Sequence, residues 1–269
     1  MLFKKKLKKR SRLDKALEHR DFAYFWQPKD GVPNIGDYLA FETVNYCLNL
    51  EDKDVSQIKS GKLLSIGSVL HFAANGDTLW GTGKNGKISE HMHVYNTLNV
   101  SAVRGPLTRH YLLSKGIDCP EIYGDPGILA PFIYPASLLQ SKTEKRDFVI
   151  VPQLNDDMNK YKAYTEKLIS PRLMPSQFIK KLLSAKKVIS SSLHGIILAE
   201  AYGIEAVFYD SGSGESAFKY EDYYKGTGRD TFHSAKSIEE ALIATMPPIP
   251  DLLTRQQALI KAFPYDLYE

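Results

Sequence analysis

Ser190-Ser191-Ser192-Leu193-His194-Gly195 follows the strand-like run Lys187-Val188-Ile189 and opens a second apolar run, Ile196 to Tyr202. The order predicts a strand, a polar turn and a helix. Such a turn aims backbone N–H groups and the positive end of a helix dipole at whatever lies above it. Serine hydroxyls and one imidazole add side-chain donors, so the six residues suit an anion site with a proton donor beside it. A plain serine cap followed by a packed histidine produces the same letters, and the stretches around it must decide.

On the carboxyl-terminal side, Ala206 to Tyr209 predicts the next strand, followed by the Gly- and Ser-rich loop Asp210 to Ser216 and the aromatic run from Phe218 to Tyr224. Helices are expected over Ile238 to Met246 and Leu252 to Phe263. On the other side, Phe148 to Pro152 reads as a strand, with helices near Asp156 to Ile169 and Ser176 to Leu183. Pro135 to Arg146 loses apolar periodicity and gains charge, which marks a domain boundary.

The first half repeats the pattern. Asp21 to Gln27 is an aromatic strand candidate, and Tyr38 to Leu50 has helical periodicity with Asp37 placed to cap it. Asp37 at a strand's carboxyl end is also a candidate acid or base. Leu63 to Ile66, Asp77 to Thr82 and Val100 to Val103 predict further strands, and Gly67 permits close approach of a ligand to the backbone. Arg104-Gly105 is a strand-end turn with Pro106 opening a helix to Lys115, so Arg104 is expected to project from the carboxyl edge with a fork of donors for carboxylate or phosphate. Asp125 lies in another such turn. Alternating strands and helices indicate parallel sheets of the doubly wound kind, and two such units in tandem leave a cleft for a ligand.

Composition bounds the rest. With 269 residues, 43% hydrophobic and 25% charged, the chain has the make-up of a folded globular protein and the length of two modest domains or one large one. Its two cysteines, Cys47 and Cys119, lack zinc or disulfide-framework spacing, which favours a reducing compartment. His91 and His93 share one face of an extended segment but lack a nearby third ligand, so no metal site is expected. Residues 1–20 hold nine Lys and Arg against two acids, a net of +7 that leaves −3 for the remainder. A basic arm, Lys4 to Arg12, on a slightly acidic body suits an anionic membrane surface or equally a plain solvated tail, whereas the lack of interleaved aromatics argues against nucleic acid. Neither a signal peptide nor a run of apolar residues long enough to span a bilayer is evident, so the expected location is cytoplasmic, with peripheral docking at the inner membrane face.

Six stretches now resemble the polysaccharide pyruvyl transferase family: Asn34-Ile35-Gly36-Asp37, Gly67-Ser68-Val69-Leu70-His71, Val103-Arg104-Gly105-Pro106, Tyr123-Gly124-Asp125-Pro126, Ser191-Ser192-Leu193-His194-Gly195 and Phe218-Lys219 with Asp222-Tyr223-Tyr224. They run in family order over most of residues 30 to 230. The resemblance implies an α/β fold of two Rossmann-like domains facing across a cleft, as in GT-B glycosyltransferases. The domains would be an acceptor side at residues 21–140 and a donor side at 147–269, behind the arm at residues 1–20. It implies transfer of pyruvate from phosphoenolpyruvate to a sugar of a capsular or exopolysaccharide repeat unit, carried on lipid, to form a ketal.

That chemistry assigns roles to the residues. Phosphoenolpyruvate is the donor substrate, with no cofactor or metal required. His194 is expected to protonate the donor, Asp37 to take the acceptor's proton, and Arg104 to hold anionic charge. Asn34, Gly36, Gly67, Ser68, His71, Asp125, Ser191, Ser192, Gly195, Lys219 and Arg229 are expected to bind substrate. Some relatives carry arginine where this chain has Ser192, leaving Lys219 or Arg229 to supply that cation. The alternatives are a nucleotide-sugar glycosyltransferase of similar fold and a non-catalytic membrane-associated assembly protein.

Overall fold

The computed structural model describes residues 23–26, 28, 30–32, 34–53, 59–139 and 145–268. The basic arm at 1–20, and with it the membrane-docking expectation, lies outside the described residues, as do parts of the first strand candidate and of the boundary segment.

Two parallel four-stranded sheets form the framework. The first holds β1 (Ala23–Tyr24), β2 (Leu63–Leu64), β3 (Thr78–Trp80) and β4 (Asn99–Ala102), and the second β5 (Arg146–Val151), β6 (Ala185–Ser190), β7 (Glu205–Tyr209) and β8 (Ser234–Ala235). Helices α1 (Ile35–Leu50) and α2 (Pro106–Ser114) belong to the first half. α3 (Pro175–Leu182), α4 (Leu193–Ala201), α5 (Phe218–Gly226), α6 (Ile238–Ile243) and α7 (Leu253–Lys261) belong to the second.

The doubly wound expectation needs correction for the first sheet, whose strands, among the described residues, run in plain sequence order with no reversal. The second sheet does reverse: Ile150 pairs with Ile189 of β6 and also with Leu168, which must therefore lie on the other side of β5. A crevice opens at the carboxyl end of a strand where connections diverge in this way, and ligands favour it. The segment read as a helix near Asp156 to Ile169 is instead 3-10 over Met158–Lys167, broken at Tyr164, because its polar sequence offers only Tyr161 to the core.

Apolar periodicity explains the packing. Leu39, Val44 and Leu48 of α1, Ile128 and Leu129, and Val149, Val188, Ile196 and Ile197 of the second half lie in one continuous hydrophobic cluster. α4 is apolar around nearly its whole circumference, as a helix enclosed by protein must be. Gly195 lets it approach the sheet, since a Cβ there would stand 2.2 Å from Ser190 Oγ and 2.9 Å from Val151 Cγ1. Both cysteines are buried and free.

Candidate active site

Two helix N-termini meet at one cleft of about 380 Å³. α1 begins with a capping box in which the Asn34 side chain accepts from the Gly36 and Asp37 amides while Asp37 accepts from Asn34 N at 2.9 Å. Asn34, not Asp37, is thus the N-cap, and Asp37 is the third helical residue. α4 begins after Ser192, whose side chain accepts no first-turn N–H, and Ser192, Leu193 and His194 of this uncapped end line the cleft. That is the arrangement by which helix ends bind anions.

The ends touch through Gly36 and His194. A Cβ on Gly36 would lie 2.5 Å from the His194 imidazole, so only glycine lets α1 approach the ring this closely. His194 Nε2 stands 3.7 Å from Oδ2 of Asp125 and has no hydrogen-bond partner among the described residues. Asp125 is fully buried and accepts from Gly127 N at 2.9 Å and Gly67 N at 3.4 Å, which ties the Gly67-Ser68 turn to the histidine. The carboxylate thus stands behind an imidazole that itself lines the cleft, beyond hydrogen-bond distance of it.

Of the residues expected at the site, Asn34, Gly36, Asp37, Gly67 and Ser68 line the cleft from the first half, with His71 beside them. Ser192, His194 and Lys219 line it from the second. His71 Nδ1 is buried without a partner among the described residues, and burial lowers the imidazole's pKa.

Five expected residues stand behind the cleft. Arg104 is fully buried rather than projecting from the sheet edge. Its Nε and Nη2 each lie 3.0 Å from Asp222 Oδ2, Nη1 donates to Ser68 Oγ at 2.7 Å and Nη2 to Lys84 O at 2.8 Å. Its donors are taken by protein, so its contribution is to hold the Gly67-Ser68 and Lys84 turns. Arg229 grips Glu200 with bonds of 2.7 and 2.8 Å and lies over the Tyr224 ring, away from the cleft, whereas Lys219 lines it. Ser191 belongs to a buried cluster around Asp156, and Gly195 serves helix–sheet contact. Asp125 acts through His194. His91 and His93 do not act together: His91 is exposed against Ser89, while His93 is buried with Nδ1 at 3.1 Å from Tyr95 Oη.

Sequence reading missed Lys87 and Glu215, both in the cleft, because they sit in loops without periodicity. Their opposite charges, 128 residues apart, carried no local signal. Gln153 and Asn155 were likewise missed, although the strand end at Pro152 could have pointed to them.

Burial pushes the Asp37 carboxyl up to about 7, against the opposing hydrogen bond from Asn34 N. Its folded value thus exceeds its unfolded one. The folded state binds the extra proton between these two values, so stability falls as pH rises through that window. Asp37→Asn is expected to remove about 2 kcal/mol of this loss between about pH 5 and pH 7. Urea titrations of both proteins across that range check it; parallel pH dependences would mean that Asp37 ionises as an ordinary carboxylate.

A crystal structure titled as that of a functionally uncharacterized protein from Klebsiella pneumoniae subsp. pneumoniae NTUH-K2044 aligns with 79% of this chain and 91% of its own, at 15% identity and a TM-score of 0.39. No curated protein matches the chain significantly. Arg104, Asp125, Ser191, Ser192, His194 and Gly195 all fall within the stretch that a family description covers, whereas the α1 terminus, Glu215 and Lys219 fall outside it. Residues 84–213 match the sequence model of the polysaccharide pyruvyl transferase family, the family that the motifs resemble.

Proposed function

We propose that the protein transfers pyruvate from phosphoenolpyruvate to a sugar of a capsular or exopolysaccharide repeat unit, giving a pyruvate ketal. The observation that carries this reading is the convergence of an uncapped α4 N-terminus, Lys219, Lys87, His194 and Asp37 on one cleft, in a chain whose residues 84–213 match a polysaccharide pyruvyl transferase family model. Phosphoenolpyruvate brings a phosphate and a carboxylate, which the two ammonium groups and the helix amides are suited to hold without a metal.

In the reaction, His194 delivers a proton to the methylene carbon of the donor. One sugar hydroxyl adds to the resulting cationic carbon as its proton passes to the Asp37 carboxylate. Phosphate then leaves with the donor's bridging oxygen, and a second hydroxyl of the same sugar closes the ketal. One hydroxyl proton balances the new methyl group and the other departs with phosphate. Cations fixed beside the leaving phosphate lower the barrier because they need no reorganisation.

The same reading assigns residues 21–140 to an acceptor side and 147–269 to a donor side, arranged as in GT-B enzymes, with a lipid-linked acceptor approached through the basic arm. Among the described residues, no helix is long and apolar enough to cross a membrane. Incubating purified protein with phosphoenolpyruvate and extracted lipid-linked oligosaccharide is expected to release phosphate and add the mass of one pyruvate ketal. On anionic liposomes, removing residues 2–12 should reduce retention. Turnover of a nucleotide sugar, with no phosphate release from phosphoenolpyruvate, would overturn the assignment.

A further inference from the structure

Glu215 is a carboxylate inside a cleft otherwise suited to anions. It accepts hydrogen bonds from Lys219 and Lys87, and from Gln153 Nε2 at 3.3 Å, and its side chain is only 9% exposed. The lysines come from opposite halves: Lys87 follows β3 and Lys219 lies in the first turn of α5. Glu215 therefore occupies the position between two ammonium groups that an anionic group of a ligand would take, and it cancels one of their two charges. Burial opposes its ionisation, and the two lysines outweigh burial, so its pKa is lowered.

Glu215 precedes α5 rather than forming part of it, and two glycines in left-handed conformation, Gly212 at φ 69° and Gly214 at φ 76°, stand just before it. By contrast, the flanking contact is tight: a Cβ on Gly86 would lie 2.5 Å from Ser216 Oγ and 2.6 Å from Phe218 Cβ. The lysine-bearing loops are thus held while the carboxylate between them has glycine freedom on one side.

We propose that Glu215 is a specificity-determining internal competitor: it fills the anion position between Lys87 and Lys219 until a ligand with more than one anionic group displaces it. This deepens the pyruvyl transfer reading and rests on it for the identity of the ligand. A donor carrying both carboxylate and phosphate gains other contacts in the cleft and displaces the side chain. Inorganic phosphate, the product, offers fewer, and the returning carboxylate helps to expel it.

Calorimetric titration with inorganic phosphate at fixed ionic strength tests the idea. Glu215→Gln is expected to tighten phosphate binding about tenfold, the weight of one charged hydrogen bond, and adding Lys219→Met should abolish the gain. A role that merely positions Lys219 predicts the reverse, and unchanged or weaker phosphate binding in Glu215→Gln overturns the proposal. So does a lack of phosphate binding in every version. Glu215→Ala serves if the Gln variant fails to fold; loss of cooperative unfolding in both would assign Glu215 a structural role. Parallel titration with phosphoenolpyruvate separates the two readings. Tighter phosphate without donor binding keeps Glu215 as competitor and removes the donor assignment, whereas donor and phosphate binding that both ignore Glu215→Gln do the opposite.

Discussion

Replacing Arg104 with methionine is expected to destabilise the fold by about 3–5 kcal/mol, the cost of breaking a buried ion pair from one side. Asp222 is fully buried and would keep only Thr108, whose N and Oγ1 donate at 3.0 and 2.6 Å. The loss would spread, because α2 and α5 interlock around this pair: a Cβ on Gly105 would fall 1.8 Å from Asp222 O, and one on Gly226 2.4 Å from Arg104 O. Combining Arg104→Met with Asp222→Asn should recover much of the stability, since no uncompensated charge then remains. Denaturant midpoints of the four proteins in this cycle check the expectation. If Arg104→Met lost activity while keeping wild-type stability, the guanidinium would be a ligand contact rather than a buttress.

Arg104 also shows what a chain of letters conceals. The strand-end position was legible, since apolar runs broken by Gly and Pro fix where strands stop. The partner was not, because Asp222 lies 118 residues away and its own local pattern is an aromatic helix. Arg104 and Asp222, from two of the motif stretches, meet each other, while Lys219 of the second stretch lines the cleft. The reverse holds for α1: Asn34, Gly36 and Asp37 reach the cleft as expected, although the cap is Asn34 and not Asp37. Parallel sheets were legible from alternation, but strand order was not, since periodicity carries no information about which neighbour a strand selects. Lys87 and Glu215 stayed hidden for the same reason as Asp222.

His194→Gln is expected to lower turnover about 10²- to 10⁴-fold, the usual contribution of one general acid, while leaving stability near that of the parent. Glutamine fills similar space against Gly36 and can still donate a hydrogen bond, but it cannot deliver a proton. Donor affinity should therefore change far less than turnover, because the α4 amides and the lysines remain. Phosphate release at saturating donor and acceptor measures the first quantity, and calorimetry without acceptor the second. Asp125→Asn should give a smaller loss in the same assay, since it removes the charge 3.7 Å behind the ring and one of the two oxygens that accept from Gly67 N and Gly127 N, but leaves the imidazole in place. Retained turnover in His194→Gln would pass the acid role to Asp37, whose carboxyl burial pushes up to about 7. The two assignments separate by pH. If Asp37 is the base, turnover rises as the pH passes upward through about 7, where its carboxyl ionises, whereas an acid role makes turnover fall over that interval.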